Sequence, residues 1–297
     1  MTNKSNQLHY YLMLLPAMVF LGIFSFAPMF GIAIAFQKYV PAKGIFRSSW
    51  VGFNNILYML QIPDSKKIFV NTVIIAVLKI ITSLLVPLFF SLILNEARIL
   101  WFKKTVQTIV YMPYFLSWVV LGSVVANIFA LDGVINKLLT AVFGVEAIMF
   151  MGSNVWFRPI LIITNVWKNF GYETVIYLAA IANINPVLYE AAVMDGASRP
   201  KQMIYITLPS ILPTVALLTT LSLGNVLNAG FDQIFNLYNP LVYETADIID
   251  TYVYRMGLIQ MQYGLATAVG LMKSVISLLL IMASYKLAER FAGYRIF

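Results

Sequence analysis

Long apolar runs separated by short polar stretches dominate the chain. A bilayer core about 30 Å thick takes about 20 helical residues to cross. Six runs meet that length: 10–36, 68–94, 106–130, 159–182, 211–231 and 266–288. Each predicts a transmembrane helix. Pro16 and Pro28 predict kinks in the first run, and Pro113 predicts an interruption of the third, because proline removes an amide donor and crowds the preceding turn. The fourth run is more polar than the others. No internal repeat or low-complexity tract is visible. The pattern predicts an all-α polytopic membrane protein with any β structure confined to loops.

The stretch between the fourth and fifth runs, 185–209, has a pattern of its own. A simple turn between two helices needs only about half a dozen residues. Asn185-Pro186 ends the fourth run, because the residue before a proline avoids helical geometry. Nothing from 187 to 194 breaks a helix, and Val187, Leu188, Ala191 and Met194 fall at spacings that share a face. Gly196 permits a sharp bend. Pro200 can open the next helical turn, and the pattern of 201–208 continues toward the fifth run, where Pro209 and Pro213 predict an interruption. The expected product is a short helix across the base of the bundle with a tight corner, built to be touched by another molecule.

Composition narrows the class. Of 297 residues, 61% are hydrophobic and 11% charged, against about 25% charged in ordinary soluble domains. The net charge of +8 is spread over loops, which fits anchoring against anionic lipid and gives no footprint for nucleic acid. There is no cysteine and a single histidine, His9, so disulfides, thiolate metal sites and histidine-based metal sites or proton relays are not expected. No small-residue cleavage site follows the N-terminal segment, and 10–36 is too long for a signal-peptide core, so a retained first span is expected. No glycine-rich phosphate-binding loop of the G-x-x-x-x-G-K-[ST] kind is present, which places any nucleotide chemistry on another chain.

Six spans put both termini on one side. Lys4, Arg98, Lys103, Lys104, Arg199, Lys201, Lys286, Arg290 and Arg295 fall on the terminal side. Lys38, Lys43, Arg47, Lys66, Lys67, Lys137, Arg158 and Arg255 fall on the other. Nine against eight does not orient the chain by the positive-inside rule, and the first outer loop makes the tie.

Ionisable groups at membrane depth are costly and mark candidate sites. The fourth run carries Lys168 and Glu173 beside Trp167, Asn165, Asn169 and Tyr172. Lys79 and Lys273 lie in the second and sixth runs. Asn225, Asn228 and Asp232 stand at i, i+3 and i+7, one face of a continuous helix, with Gln233 following. Amides and carboxylates beside aromatics (Trp167, Tyr172, Phe231, Tyr238) suit a sugar, whose hydroxyls take the polar groups and whose ring faces stack. The same residues also fit helix–helix hydrogen bonding and a structural Lys168–Glu173 ion pair.

The sequence Glu190-Ala191-Ala192, with Asp195-Gly196, then nine residues before Ile206-Thr207-Leu208-Pro209, closely resembles the cytoplasmic coupling loop of importer-type ABC permeases. Val51-Gly52-Phe53-Asn54-Asn55 and Gly133-Val134-Ile135-Asn136 resemble segments of the sugar-permease branch, as do Trp167, Gly171, Leu178, Ala179 and Pro186. The run from Phe231-Asp232-Gln233-Ile234-Phe235 through Tyr238-Asn239-Pro240 to Asp250-Thr251-Tyr252-Val253-Tyr254-Arg255 is similar to the larger-subunit permeases of polysaccharide and complex-oligosaccharide importers, the type represented by the larger maltose permease subunit. Met203 departs from the phenylalanine frequent in the family, a change a flexible apolar side chain absorbs.

The resemblance implies a type I importer permease fold. Its parts would be a cytoplasmic tail 1–9, a first helix and outer loop 10–67, a core of five spans over 68–290 with the coupling loop 185–209, and a cytoplasmic tail 291–297. It implies that Glu190, Ala191, Ala192, Asp195, Gly196, Ile206, Leu208 and Pro209 couple to the ATPase, with no catalytic residue and no cofactor in this chain, ATP and Mg²⁺ lying on the ATPase. The polar and ionisable groups at membrane depth give the candidate substrate path as Trp167, Lys168, Tyr172, Glu173, Asn225, Asn228, Asp232 and Gln233. The implied partners are a second, distinct permease, two ATPase subunits, an extracytoplasmic substrate-binding protein and a carbohydrate, in a bacterial cytoplasmic membrane with both termini inside. Other polar cargo such as glycerol phosphate conjugates, an ion-coupled secondary transporter, and a membrane transferase are the alternatives. Matched inverted halves and a cluster of acids and histidines at one interface, which the last two favour, are not visible.

Overall fold

The computed structural model describes residues 4–292 apart from Asn225. Asn225 of the expected path and residues 293–297 of the expected C-terminal tail, including Arg295, lie outside the described residues. The main helices are α1 (Lys4–Leu21), α2 (Pro63–Asn95), α3 (Leu100–Tyr111), α4 (Trp118–Ile128), α5 (Val134–Phe143), α6 (Phe157–Ala182), α7 (Pro186–Met194), α8 (Arg199–Leu223), α9 (Phe231–Leu237) and α10 (Tyr263–Ala292). Among the described residues four helices are long and apolar enough to cross a membrane, and the number rises to the expected six if each of two bent pairs is one span. The chain forms two compact units. One holds the chain through Lys66 with Tyr252–Ser274, and the other Lys67–Thr251 with the chain from Val275 onward. Residues 252–274, grouped on sequence grounds with the core 68–290, belong to the first unit.

In the first unit the apolar helix His9–Phe36 is almost wholly exposed in the isolated chain, as a span facing lipid must be. Ahead of Pro28 it widens into a π-helical turn, Gly22–Phe26, in which the Ala27 amide bonds the Gly22 carbonyl. That longer ring makes room for the proline ring where an α turn would clash. The span ends in a two-residue antiparallel ribbon, β1 (Gln37–Lys38) with β2 (Ser49–Trp50), in the register Gln37 opposite Trp50. Asn55 donates to the carbonyls of Ala35 (2.8 Å) and Gln37 (3.1 Å), so this family-like asparagine is a clamp.

In the second unit two apolar clusters hold the helices. One gathers Ile75 and Ala76 of α2, Val125 of α4, Phe157, Ile160 and Leu161 of α6, and Ile234 and Leu237 of α9. The other gathers Leu88 and Leu92 of α2, Tyr177 and Ile181 of α6, and Ile211 of α8. The 33 residues of α2 reach about 50 Å, more than the hydrocarbon thickness. α3 and α6 cross so closely at Gly171 that any side chain would overlap the Val110 carbonyl.

Three expectations about the spans change. The third run does not merely pause at Pro113: the helix Leu100–Phe115 and α4 meet at 103°. Ser117 caps α4, its hydroxyl accepting the Val120 amide. The fifth span begins at Arg199 rather than 211, because the helix runs through both Pro209 and Pro213. A π-helical turn, Met203–Thr207, absorbs the first of these, with the Leu208 amide bonded to the Met203 carbonyl. The same span ends at Leu223 rather than 231.

Asn136, expected in a loop as part of the sugar-permease-like G-x-x-N segment, lies in the first turn of α5 and is buried. It donates to the carbonyls of Ala130 (2.8 Å) and Ile148 (2.9 Å) and accepts the Ile148 amide (2.9 Å). A side chain on Gly133 would overlap the Asn127 and Ile128 carbonyls.

Two stability tests follow. Gly171→Ala should cost about 1–3 kcal/mol through overpacking of the α3–α6 crossing, whereas Gly270→Ala, with nothing within 4 Å of its added carbon, should be neutral. Thermal unfolding of the detergent-purified protein compares the two, and equal melting temperatures would refute the close crossing. Asn136→Ala should lower stability by roughly 2–3 kcal/mol, because it strands buried backbone groups, and Asn136→Asp should lower it at least as far, because it sets a buried carboxylate against the Ala130 and Ile148 carbonyls.

Candidate functional site

Two groups of residues were expected to act, and the structure treats them differently. The first lies at the base of α6. Asn185 accepts the Val187 amide at 3.1 Å and Pro186 takes the first turn of α7, which leaves α6 at 69°. Proline there costs nothing, since its missing amide would have been unpaired. No residue of α7 is buried; Val187, Leu188 and Val193 are exposed, and Met194 is 87% exposed.

α7 stops in a Schellman motif. The Gly196 amide bonds the Val193 carbonyl (3.0 Å), and the Ala197 amide bonds the Ala192 carbonyl (2.8 Å). Gly196 holds φ +73°, the left-handed conformation that this motif requires and that a side chain disfavours. Nothing lies within 4 Å of where its side chain would be, so conformation and not space selects glycine.

Two side-chain bonds fasten this foot to α8. The Tyr189 and Thr207 hydroxyls pair at 2.8 Å, and buried Gln202 donates to the Ala197 carbonyl at 2.9 Å. The expected coupling residues therefore divide. Glu190 and Ala191 stand exposed on α7 with Ala192 half-buried, and Asp195 and Gly196 form its end. Ile206, Leu208 and Pro209 are not in a loop but in α8, where Leu208 packs with Met203 against the cluster around Tyr177 and Ile211.

The second group was expected to line a path, and only part of it comes together. Tyr172 stacks on Tyr114 with ring centroids 4.0 Å apart and planes 6° from parallel. The Lys168 ammonium lies 5.7 Å from the Tyr114 ring and 5.7 Å from the Trp118 ring. It donates to the carbonyls of Pro113 (3.4 Å), Tyr114 (2.8 Å) and Leu116, the groups that the bend before α4 releases. It is not paired with Glu173, which bonds Ser83 and keeps one carboxyl oxygen buried without a partner. Trp167 is exposed on the same helix.

Asn228 and Asp232 do not share a helical face. α8 ends at Gly224, the chain passes through an irregular segment, and α9 begins after Gly230 at φ +87°. Lys79, 8% exposed on α2, donates to the Ala229 carbonyl at 2.6 Å. That bond takes a carbonyl left free by the break. Asn228 is exposed in the break and Asp232 is exposed in the first turn of α9. Gln233 is buried and donates to the Leu161 carbonyl (2.8 Å) and the Thr164 hydroxyl (2.9 Å), a fastening of α9 to α6.

Some of the architecture has no counterpart in the sequence expectations. Tyr114 and Trp118 complete the aromatic group, and the Pro113-x-x-x-Ser117 spacing, a proline followed by a helix-capping serine, is the signal that marks them. Arg158 bonds the Thr245 carbonyl (2.9 Å) and Asn71, which in turn donates to the carbonyls of Glu244 (3.0 Å) and Asp247 (3.1 Å). Among the described residues no group of three or more histidines and acids could hold a metal ion.

Residues 88–293 match the family described as binding-protein-dependent transport system inner membrane component. The chain is similar to Protein LplB of Bacillus subtilis strain 168, at 41% identity over 95% of this chain and 88% of that one. It is similar to the polygalacturonan/rhamnogalacturonan transport system permease protein YteP of the same organism, at 42% identity over 96% and 89%. Among solved structures it resembles a chain of a bacterial ABC transporter that imports the acidic polysaccharide alginate, with a TM-score of 0.89 and 36% identity over 97% of both chains. A second structure of a bacterial alginate ABC transporter, bound to a periplasmic protein carrying an alginate pentasaccharide, matches with a TM-score of 0.88. The apolar spanning helices, the bent foot at α7 and these likenesses agree: this chain belongs to the inner membrane components of binding-protein-dependent transport systems.

Proposed function

We propose that the chain is one of the transmembrane subunits of an ATP-driven importer of oligosaccharides or polysaccharide fragments. It would form half of the translocation path beside a second, distinct permease. Two ATPase subunits would bind the ATP and Mg²⁺ that this chain has no loop to hold, and a substrate-binding protein would deliver cargo from outside. Both termini and the foot at α7 would then face the cytoplasm.

The observation that carries this reading is an exposed apolar helix on a rigid mount. A helix of nine residues with none buried is not stable by itself, and its face needs a partner outside the membrane. Its end is fixed by the Gly196 turn, and Tyr189 and Gln202 tie it to α8, itself a membrane span. A push on α7 therefore moves α8 instead of being lost in a loose loop. Exposed Glu190 offers a carboxylate for a basic group on the ATPase. The aromatic group of Tyr114, Tyr172 and Trp118 offers ring faces for sugar stacking. The names of two relatives, a polygalacturonan/rhamnogalacturonan transport system permease and an ABC transporter involved in alginate import, support a saccharide cargo.

Gly196→Leu should abolish uptake and cargo-stimulated ATP hydrolysis by the complete importer in proteoliposomes, while the subunits still assemble. Gly196→Asn, which tolerates the left-handed conformation, should keep a measurable share of both. Gly196→Ala should cost roughly 1–2 kcal/mol of local stability and fall between them. Unchanged uptake by the leucine variant would sink the coupling role, and uptake abolished by a protonophore with ATP held constant would favour an ion-coupled carrier.

A further inference from the structure

The permease reading leaves two cations inside apolar spans unexplained, Lys79 buried and Lys168 half-buried. Lys79 lies in α2 and Lys168 in α6, both inside apolar spans. Each bonds only backbone carbonyls, and neither has a carboxylate partner among the described residues. The nearby acids are engaged elsewhere or exposed: Glu173 bonds Ser83, and Asp232 stands exposed in the first turn of α9.

The two lysines differ in what they have left to offer. An ammonium has three donors. Lys168 meets three carbonyls, so its donors are all taken. Lys79 meets one, that of Ala229, and two of its donors find no acceptor among the described residues. Held as an ammonium with unused donors and no counter-charge, Lys79 would be among the costliest arrangements in a protein until an anion reaches it. A neutral glutamine could satisfy a single carbonyl at far lower cost, so the pinning of Ala229 alone does not account for a lysine.

The position of Lys79 supplies the missing term. It touches the irregular segment that carries exposed Asn228, between the end of α8 and the start of α9. In this segment Leu227 and Ala229 are buried and Asn228 between them is exposed, and non-helical backbone carrying an exposed amide inside a span is tolerated only where it borders protein or a polar cavity. Lys168 stands beside the stacked pair Tyr114–Tyr172, where it adds positive field without a free donor.

Resting on the permease reading above, we infer that the cargo is anionic, a saccharide bearing carboxylates of the uronate kind, and that Lys79 is the residue that meets them. The Ala229 carbonyl occupies one donor while cargo is absent, and the flexible stem of the lysine lets the ammonium turn from carbonyl to carboxylate. Neutral saccharides offer no charge to balance it and pass less readily. Lys79 is thus a specificity-determining group, and Lys168 reinforces the preference through space.

The test uses the complete importer with its own binding protein in proteoliposomes, supplied with an oligogalacturonate and a neutral galacto-oligosaccharide of the same length. Selection by the binding protein is common to every variant, so the uronate-to-neutral uptake ratio of each variant relative to wild type isolates the membrane step. Lys79→Gln should lower that ratio on the order of tenfold, the scale of one hydrogen bond to a charged group, and Lys79→Arg should keep it. A parallel fall of both cargoes in the glutamine variant would reduce Lys79 to a pin for the break and overturn the inference. If the glutamine variant fails to assemble, a changed ratio in the charge-keeping arginine variant would overturn it equally. Import of neutral saccharides alone by the wild type would overturn the anionic cargo and leave the permease reading standing. No saccharide uptake together with no cargo-stimulated ATP hydrolysis would instead bring down the permease reading.

Discussion

A carbonyl released from a helix inside a bilayer has no water to turn to, and this chain releases many. Its helices bend at 103° before α4, break between Leu223 and Phe231, and pass Pro28 and Pro209 with only local widening. At these places a freed group is taken up by something specific. Lys168 gathers three carbonyls at the bend. Lys79 takes the Ala229 carbonyl at the break. π-helical turns re-form the hydrogen bonds ahead of Pro28 and Pro209. The long side chains that appear in apolar spans are therefore tied first to backbone geometry, and whatever chemistry they offer a cargo comes from donors left over.

This constraint also divides the residues that look functional from those that act. Asn55, Asn136 and Gln233 have the polarity of a binding site, yet each spends its amide on backbone or on a neighbouring helix. Asn228 and Asp232, by contrast, stay exposed where the helix is interrupted. An interruption of a membrane helix is the natural place for a polar route, because its unpaired backbone has to border either protein or water. The aromatic stack of Tyr114 and Tyr172 lies beside the other interruption, the bend before α4. Both places where the backbone leaves helical geometry are thus the places where polar and aromatic groups collect.

The sequence made the broad architecture legible, because length and apolarity alone define a span. Spans one, two, four and six lie close to the expected positions, and α7 spans almost the predicted residues. The Gly196 corner was legible as well, since few residues other than glycine accept its left-handed turn. The failures have one physical origin. Proline was taken to interrupt a helix, but a π turn lets α8 pass Pro209, and Pro213 sits inside the same helix. The interruptions that do occur are fixed by residues far away in sequence, such as Lys79 bonding Ala229 and Lys168 bonding the end of the α3 segment. Spacing along one segment cannot show them, which is why Asn228 and Asp232 were placed on a helical face that the fold does not build.

The same logic links the two ends of the membrane span α8. At its base, the Tyr189–Thr207 and Gln202–Ala197 bonds join it to the exposed foot α7, and at its top it gives way at Gly224 to the segment held by Lys79. Between them the helix is continuous and packed through Ile211 against Tyr177 and Leu88. A rigid rod fixed to a foot at one end and to a breakable carbonyl bond at the other is suited to turning displacement into rearrangement. A single hydrogen bond to a charged group is worth about 1.5–3 kcal/mol, small enough for such a rod to exchange. The interruption near Asn228 is thus the weakest joint along α8, and motion entering at Gly196 would be felt there first.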